Sequence, residues 1–343
     1  MYSESDIDNA VSAGVLTPAT ANAFRNHVAA ARETPAVDEE HFRLLTGFND
    51  IFVSIALVIL LMAVGQIGGS IASGVGAAAV AAVAWGLAEF FTARRRMALP
   101  SILLLLAFVG GIAGAASLFG MAVIGHDGSD RAQALVTAVA AIAAAAGAWV
   151  HWRRFAVPIT VAAGVASLAG LALALLLAAI PSAKGAIWPL SVIAGVAVFA
   201  LAMRWDLSDR DRITRRADVA FWLHLAAAPM IAHPVFQMLG VFGNDIGIGT
   251  ALIVLVLYLA FGFIALAVDR RALLVSSLAY VLYAMYALIK TSGAVELSAA
   301  ITGLVIGSAL LSLSAFWQPM RRLVIGTLGD LGRRLPPVPV AVA

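Results

Sequence analysis

The chain has 343 residues, is 62% hydrophobic and 12% charged, and carries a net charge of +3 with no cysteine. Its apolar residues lie in long blocks, which places it among polytopic membrane proteins, and the lack of cysteine excludes disulfide frameworks, thiol catalysis and thiolate metal sites. The small positive balance does not point to nucleic acid. The basic residues are nearly all arginine, a bias that GC-rich codons produce and that fits a bacterial source.

The first 45 residues form a module of their own. "SDIDNAVSAGVLTPATANAFRNHVAAARE" (5–33) reads as two short helices. Ser5 is the expected N-cap of the first, Gly14 its end, and Thr17 with Pro18 the cap and start of the second. Ile7, Val11, Val15, Ala21, Phe24 and Val28 would make one small apolar face, too small for a core of its own and suited to a membrane surface or a protein partner. "TPAVDEEH" (34–41) is the expected linker. The acidic start lacks the pattern of a secretory signal peptide, so the first spanning helix is expected to act as an uncleaved insertion signal.

From 46 to 320, ten stretches are long enough to cross a hydrocarbon core, which takes roughly 20 helical residues. They run near 51–68, 71–92, 101–125, 132–150, 155–180, 185–203, 219–239, 247–268, 272–290 and 297–317. With ten spans and a cytoplasmic N-terminus, 19 basic residues fall on cytoplasmic segments and only Arg131, Lys184 and Lys290 fall outside, a strong positive-inside asymmetry. The expected architecture is an all-α polytopic helical bundle of the bacterial inner membrane with both termini cytoplasmic. Each cytoplasmic turn carries paired arginines (Arg95-Arg96, Arg153-Arg154, Arg215-Arg216, Arg270-Arg271, Arg321-Arg322), which is either a repeated helical hairpin or the ordinary outcome of the positive-inside rule. The tail, 321–343, is basic and ends in the proline-rich "LPPVPVAVA"; glycines 326, 329 and 332 weaken any helix there, which reads as a loose interfacial segment.

The N-terminal "AGVLTPATANAF" (13–24), followed by a linker and a long Ala/Leu/Gly-rich membrane region, resembles the bacterial membrane-protein family known as domain of unknown function 2157. The resemblance implies the arrangement of module, linker and spans, and it carries no activity or catalytic residue.

Motifs of soluble enzymes are missing: no phosphate-cradling glycine loop, no dinucleotide fingerprint, no HExxH and no GxSxG. No catalytic residue, cofactor or metal site is expected. Glu89 lies close enough to Arg94 to pair with an arginine at the cytoplasmic interface, and Asp50 suits the entrance of the first spanning helix, where a carboxylate favours the positive dipole end. Neither places an acid at the bilayer midplane, which disfavours an ion pump. The polar candidates are on the seventh and ninth spans. In "DVAFWLHLAAAPMIAHPVFQ" (218–237), Asp218 is the expected N-cap and Trp222 is expected at the headgroup level. Pro229 and Pro234 are expected to break or kink the helix. His224 and His233 are nine residues apart, so an ideal helix points them to opposite faces. With Gln237 and the tyrosines Tyr280 and Tyr283, they are the residues that would line a substrate cavity. Gly110/Gly114 and Gly303/Gly307 have the spacing of close helix contacts. Two functional classes stay open: an interaction or sensory membrane protein whose residues 1–45 bind a partner, and a permease for a small neutral or weakly polar solute.

Overall fold

The computed structural model describes residues 4–31, 48–72, 74–125, 128–210, 214–241, 248–271, 273–274, 278, 281–282, 298–332 and 335–336. All the regular elements described are helices. The chain divides into two compact units, one holding the N-terminal helices and one running from Leu44 to Val338.

The N-terminal unit contains α1 (Glu4–Ser12) and α2 (Pro18–Ala31). Gly14 takes a positive φ of 73°, which a residue without Cβ adopts at little cost, and the Thr20 amide donates to Thr17 Oγ1 at 3.1 Å. These are the stop and start that the sequence foretells. Ser5, by contrast, lies inside α1 and does not cap it, because the helix already includes Glu4. Ile7 and Ala21 are buried, and Arg25 Nη2 pairs with Asp8 Oδ1 at 2.7 Å across the two helices. Val15 and Phe24 stay exposed, at 76% and 45%.

The second unit is a chain of antiparallel helices: α3 (Phe48–Gly69), α4 (Val75–Ala88), α5 (Ala98–Ile124), α6 (Asp130–Phe155), α7 (Ile159–Ala179), α8 (Ile187–Leu207), α9 (Arg215–Met238) and α10 (Ile248–Val268). After them come α11 (Ser298–Ala315) and α12 (Trp317–Thr327), which meet at 77°. The odd-numbered helices α3 to α9 start, and α4, α6, α8 and α10 end, at one arginine-rich end of the bundle. Seven helices are long and apolar enough to span a bilayer, α3 to α9 with the short turns continuous with α4 and α8, and the bent pair α11–α12 makes an eighth if it is one span. They coincide with the first seven expected stretches. The full count of ten is not reached among the described residues: most of 272–290 lies outside them, and the apolar part of α10, Leu252–Val268, is shorter. The segment expected to be a loose tail begins instead as the helix α12.

Small residues decide how closely these helices cross. A Cβ on Gly76 would stand 2.3 Å from the Gly65 carbonyl oxygen, and one on Gly68 would stand 2.7 Å from the Gly76 Cα, so α3 and α4 touch backbone to backbone. Their turn, 70–74, closes on Gly74 at φ 87°, which makes two helices of a stretch short enough to be misread as one. On α5 the tight positions are Gly111, whose Cβ would meet the Ala77 carbonyl oxygen at 2.7 Å, and Gly120, whose Cβ would meet Val136 Cγ1 at 2.6 Å, whereas Gly110, Gly303 and Gly307 have open space. Around these contacts Leu57, Leu61, Ala84, Ala88 and Leu104 form an apolar core, while Phe52, Ile59, Leu252 and Leu259 face outward as lipid contact requires. At the end opposite the arginines, the Arg131 Nε donates to the Ala178 carbonyl at 2.8 Å and Lys184 pairs with Asp130 at 2.7 Å.

Candidate functional site

Among the described residues, buried charged groups gather at the arginine-rich end, where α8, α9, the turn after α10, and α12 converge. α8 brings Asp206, wholly buried, near its C-terminus. Arg270, 2% exposed, grips it with both prongs, Nε to Oδ2 at 3.1 Å and Nη2 to Oδ1 at 2.6 Å, and Nη2 also reaches the Ala217 carbonyl of α9 at 3.3 Å. On α9, His224 is fully buried with Nε2 at 3.4 Å from Asp206 Oδ2, and its ring stands edge-on to Phe199. One residue before Arg270, Asp269 turns the other way: its Oδ1 accepts from the Trp317 indole at 2.8 Å and lies 3.4 Å from Arg321 Nε, both on α12. Arg321 is fully buried, and its Nη2 donates to the Pro336 carbonyl at 2.6 Å.

Local backbone conformation makes this division possible. Asp269 has φ 62°, the left-handed conformation that commonly ends helices, and this splits the directions of two neighbouring side chains. Ala156 (φ 52°) ends α6 in the same way, and Arg96 (φ 54°) follows the helical turn Glu89–Arg94 that continues α4. Within the cluster the carboxylates of Asp206 and Asp269 face the guanidiniums of Arg270 and Arg321. Full burial of such pairs costs desolvation energy that the bidentate geometry and the backbone acceptors offset. Exposed Arg271 lies over the Trp317 ring at 4.9 Å and closes the outer side. Chemically the arrangement is a clamp: it joins three helices, one turn and the segment at 335–336, to which Arg210 also donates through the Leu335 carbonyl at 2.7 Å.

A smaller version occurs in the first half of the bundle. Glu89, at the end of α4, accepts both prongs of Arg154 from the end of α6, at 2.9 and 2.5 Å, and is thus paired with a different arginine from the adjacent Arg94. Beside it His151 is fully buried among Trp85, Phe108 and Phe155, with Nδ1 3.3 Å from Thr160 Oγ1. The two acid–arginine pairs span 65 and 64 residues, each from the end of one returning helix to the end or exit turn of the next but one.

The expected site residues separate. His224 belongs to the clamp. His233, partly buried, stands edge-on to Trp188 at 5.8 Å with Gln237 Nε2 3.5 Å from its Nε2. The two histidines thus keep different company, as their spacing requires. Tyr280 and Tyr283 lie outside the described residues. Three expectations for α9 are corrected. Its N-cap is Thr214, whose hydroxyl accepts from the Arg216 amide and donates to Asp209, and Asp218 lies inside the first turn. Trp222 is buried at 7% instead of standing at a headgroup surface. Both prolines sit inside an unbroken helix. Pro234 removes the amide that would bond the Met230 carbonyl. Gly195 of α8 is pressed against that carbonyl, where a Cβ would stand 2.9 Å from the oxygen.

Asp206, Asp269, Arg270 and Arg321 were not singled out by sequence reasoning, which gave the arginines a topological role. The available signal was the acid beside each basic cluster, in "RWDLSDRD" and "VDRR". Among the described residues no three His, Asp or Glu converge as a metal-binding group. No family model, no curated protein and no solved structure matches the chain.

Proposed function

We propose that this chain is an integral membrane protein of the interaction or sensory class, in which the N-terminal helices bind a protein partner and the helical bundle anchors them or responds to the membrane. The observation that carries the reading is the separate compactness of the N-terminal unit, with Val15 and Phe24 left exposed on it. It is supported by the gathering of fully buried charged groups at one end of the bundle, where they fasten helices together. In this reading the arginine-rich end faces the cytoplasm of a bacterial inner membrane, both termini lie there, and the whole chain has about ten spans. Kinship with the domain of unknown function 2157 is part of the proposal and brings no mechanism with it. No catalytic role is assigned.

A permease is the alternative, and the partly buried His233 and Gln237 of α9, beside the exposed Trp188 of α8, favour it. The test runs both ways on the full chain. A photo-crosslinking residue at Val15 or Phe24, in native membranes, should give a discrete adduct that Phe24→Asp or Val15→Asp abolishes. In proteoliposomes, solute uptake that is lost in His233→Ala and retained when residues 1–31 are deleted would replace the interaction reading with the permease.

A further inference from the structure

A shallow groove of about 280 Å³ runs between α3 and α5, lined by Ile51, Ile55 and Ile59 on one side and Leu99 and Leu103 on the other. Both helices start at the arginine-rich end, so the groove occupies their first turns and opens toward that end. An outward apolar groove on a spanning helix is filled by whatever lipid is nearest, and alone it selects nothing. Two further features give this one a preference.

The first is a polar group. Ser54 lines the groove, is 5% exposed, and its hydroxyl has no hydrogen-bond partner, although a helical serine ordinarily bonds a carbonyl one turn back. It lies about 9 Å along the axis from the start of α3, just beneath a headgroup layer roughly 5 to 7 Å deep. The second is charge. Arg94, Arg95 and Arg96 form the turn that leads into α5, all are exposed, and only the short stretch Met97-Ala98 separates them from Leu99. The turn is fixed by the buried Met97, whose amide donates to the Phe91 carbonyl at 3.1 Å, and Arg95 lies over the Phe90 ring at 5.4 Å. The nearby acids do not cancel this charge. Glu89 is held by Arg154, and Asp50 is buried in the first turn of α3.

We propose that the α3–α5 groove binds an anionic diacyl phospholipid, with one acyl chain along the groove, an ester carbonyl accepting from the Ser54 hydroxyl, and the phosphate headgroup paired with Arg94, Arg95 and Arg96. An acyl chain suits the apolar walls, and the orphaned donor calls for an uncharged acceptor at ester depth. Arginine is the side chain that matches phosphate with paired donors.

The purified full chain is titrated with dioleoylphosphatidylglycerol and with dioleoylphosphatidylcholine, and bound lipids are counted by native mass spectrometry. The parent should retain one phosphatidylglycerol more tightly than any phosphatidylcholine. R94Q/R95Q/R96Q should weaken that first lipid about 100-fold, at roughly one surface arginine's contribution per residue, and leave phosphatidylcholine unchanged. Ser54→Ala should weaken it several-fold with every arginine intact, and Ile55→Trp, which fills the groove, should abolish it. R215Q/R216Q, at the same end but away from the groove, is the control and should bind as the parent does. Equal loss in the control and the triple variant, or a parent without preference for phosphatidylglycerol, overturns the proposal. An intact first-lipid affinity in both Ser54→Ala and Ile55→Trp does so as well, and these two variants decide the matter if the triple variant does not fold.

Discussion

Replacing Arg270 by methionine is the sharpest perturbation of the clamp, because it removes the charge and keeps most of the volume. Asp206 is fully buried and would lose two charge-assisted hydrogen bonds, at 2.6 and 3.1 Å, while the Ala217 carbonyl would lose its donor. Breaking a buried pair by removing one partner costs about 3 to 5 kcal/mol. Removing both charges also removes the desolvation cost, so Asp206→Leu combined with Arg270→Met should recover most of the loss. Arg154→Met supplies the contrast. Its pair with Glu89 has the same bidentate geometry, but the side chains are 52% and 37% exposed, and such pairs contribute about 0 to 1 kcal/mol. The assay is equilibrium unfolding of the full chain in mixed micelles, followed by tryptophan fluorescence and circular dichroism. If Arg270→Met costs no more than Arg154→Met, or if the double variant is as unstable as the single one, burial of the pair does not have the energetic meaning given to it here.

On the other side of the turn, Trp317→Phe leaves Asp269 without the indole donor at 2.8 Å and should cost about 1 to 3 kcal/mol in the same unfolding assay. Arg321→Met should release the segment it holds through the Pro336 carbonyl, read as faster tryptic cleavage after Arg334 with the spanning helices still protected. Gly76→Leu cannot be accommodated 2.3 Å from the Gly65 carbonyl without parting α3 from α4; a loss of about 1 to 3 kcal/mol or more is expected, against little change for Gly86→Leu, which has open space. Ala156→Gly relieves a left-handed non-glycine residue at the end of α6 and should raise stability by about 0.5 to 1 kcal/mol.

Seven spanning helices were legible in the sequence because an apolar stretch of sufficient length is nearly its own proof in a bilayer. The separation of His224 from His233 was legible too, since nine residues on a helix fix their relative directions. What the sequence hid was pairing across helices. Asp206 and Arg270 are 64 residues apart, and nothing local distinguishes Arg270, which is buried, from Arg271, which is exposed. The positive-inside rule accounts for both equally well and so masked the difference. Helix starts were ambiguous for a similar reason: Thr214 and Asp218 are both capping residue types, and the contact with Asp209 settles the choice. The expectation of a break at the prolines was reckoned for an isolated helix. In the bundle, Gly195 lets α8 close over the Met230 carbonyl, and α9 continues.

The turn at Asp269 and Arg270 also bears on how this chain tolerates change. Two neighbours of opposite charge, which would neutralise each other on an ordinary surface, are aimed at different helices, Asp269 at α12 and Arg270 at α8. A single residue inserted or deleted there would misaddress both at once, and no one compensating substitution elsewhere would restore them. Length variation should therefore be excluded from this short loop and accepted more readily beside Gly125, at the end of α5, which has room around it. A library of one-residue insertions, sorted for membrane-inserted and folded protein, would map that contrast directly.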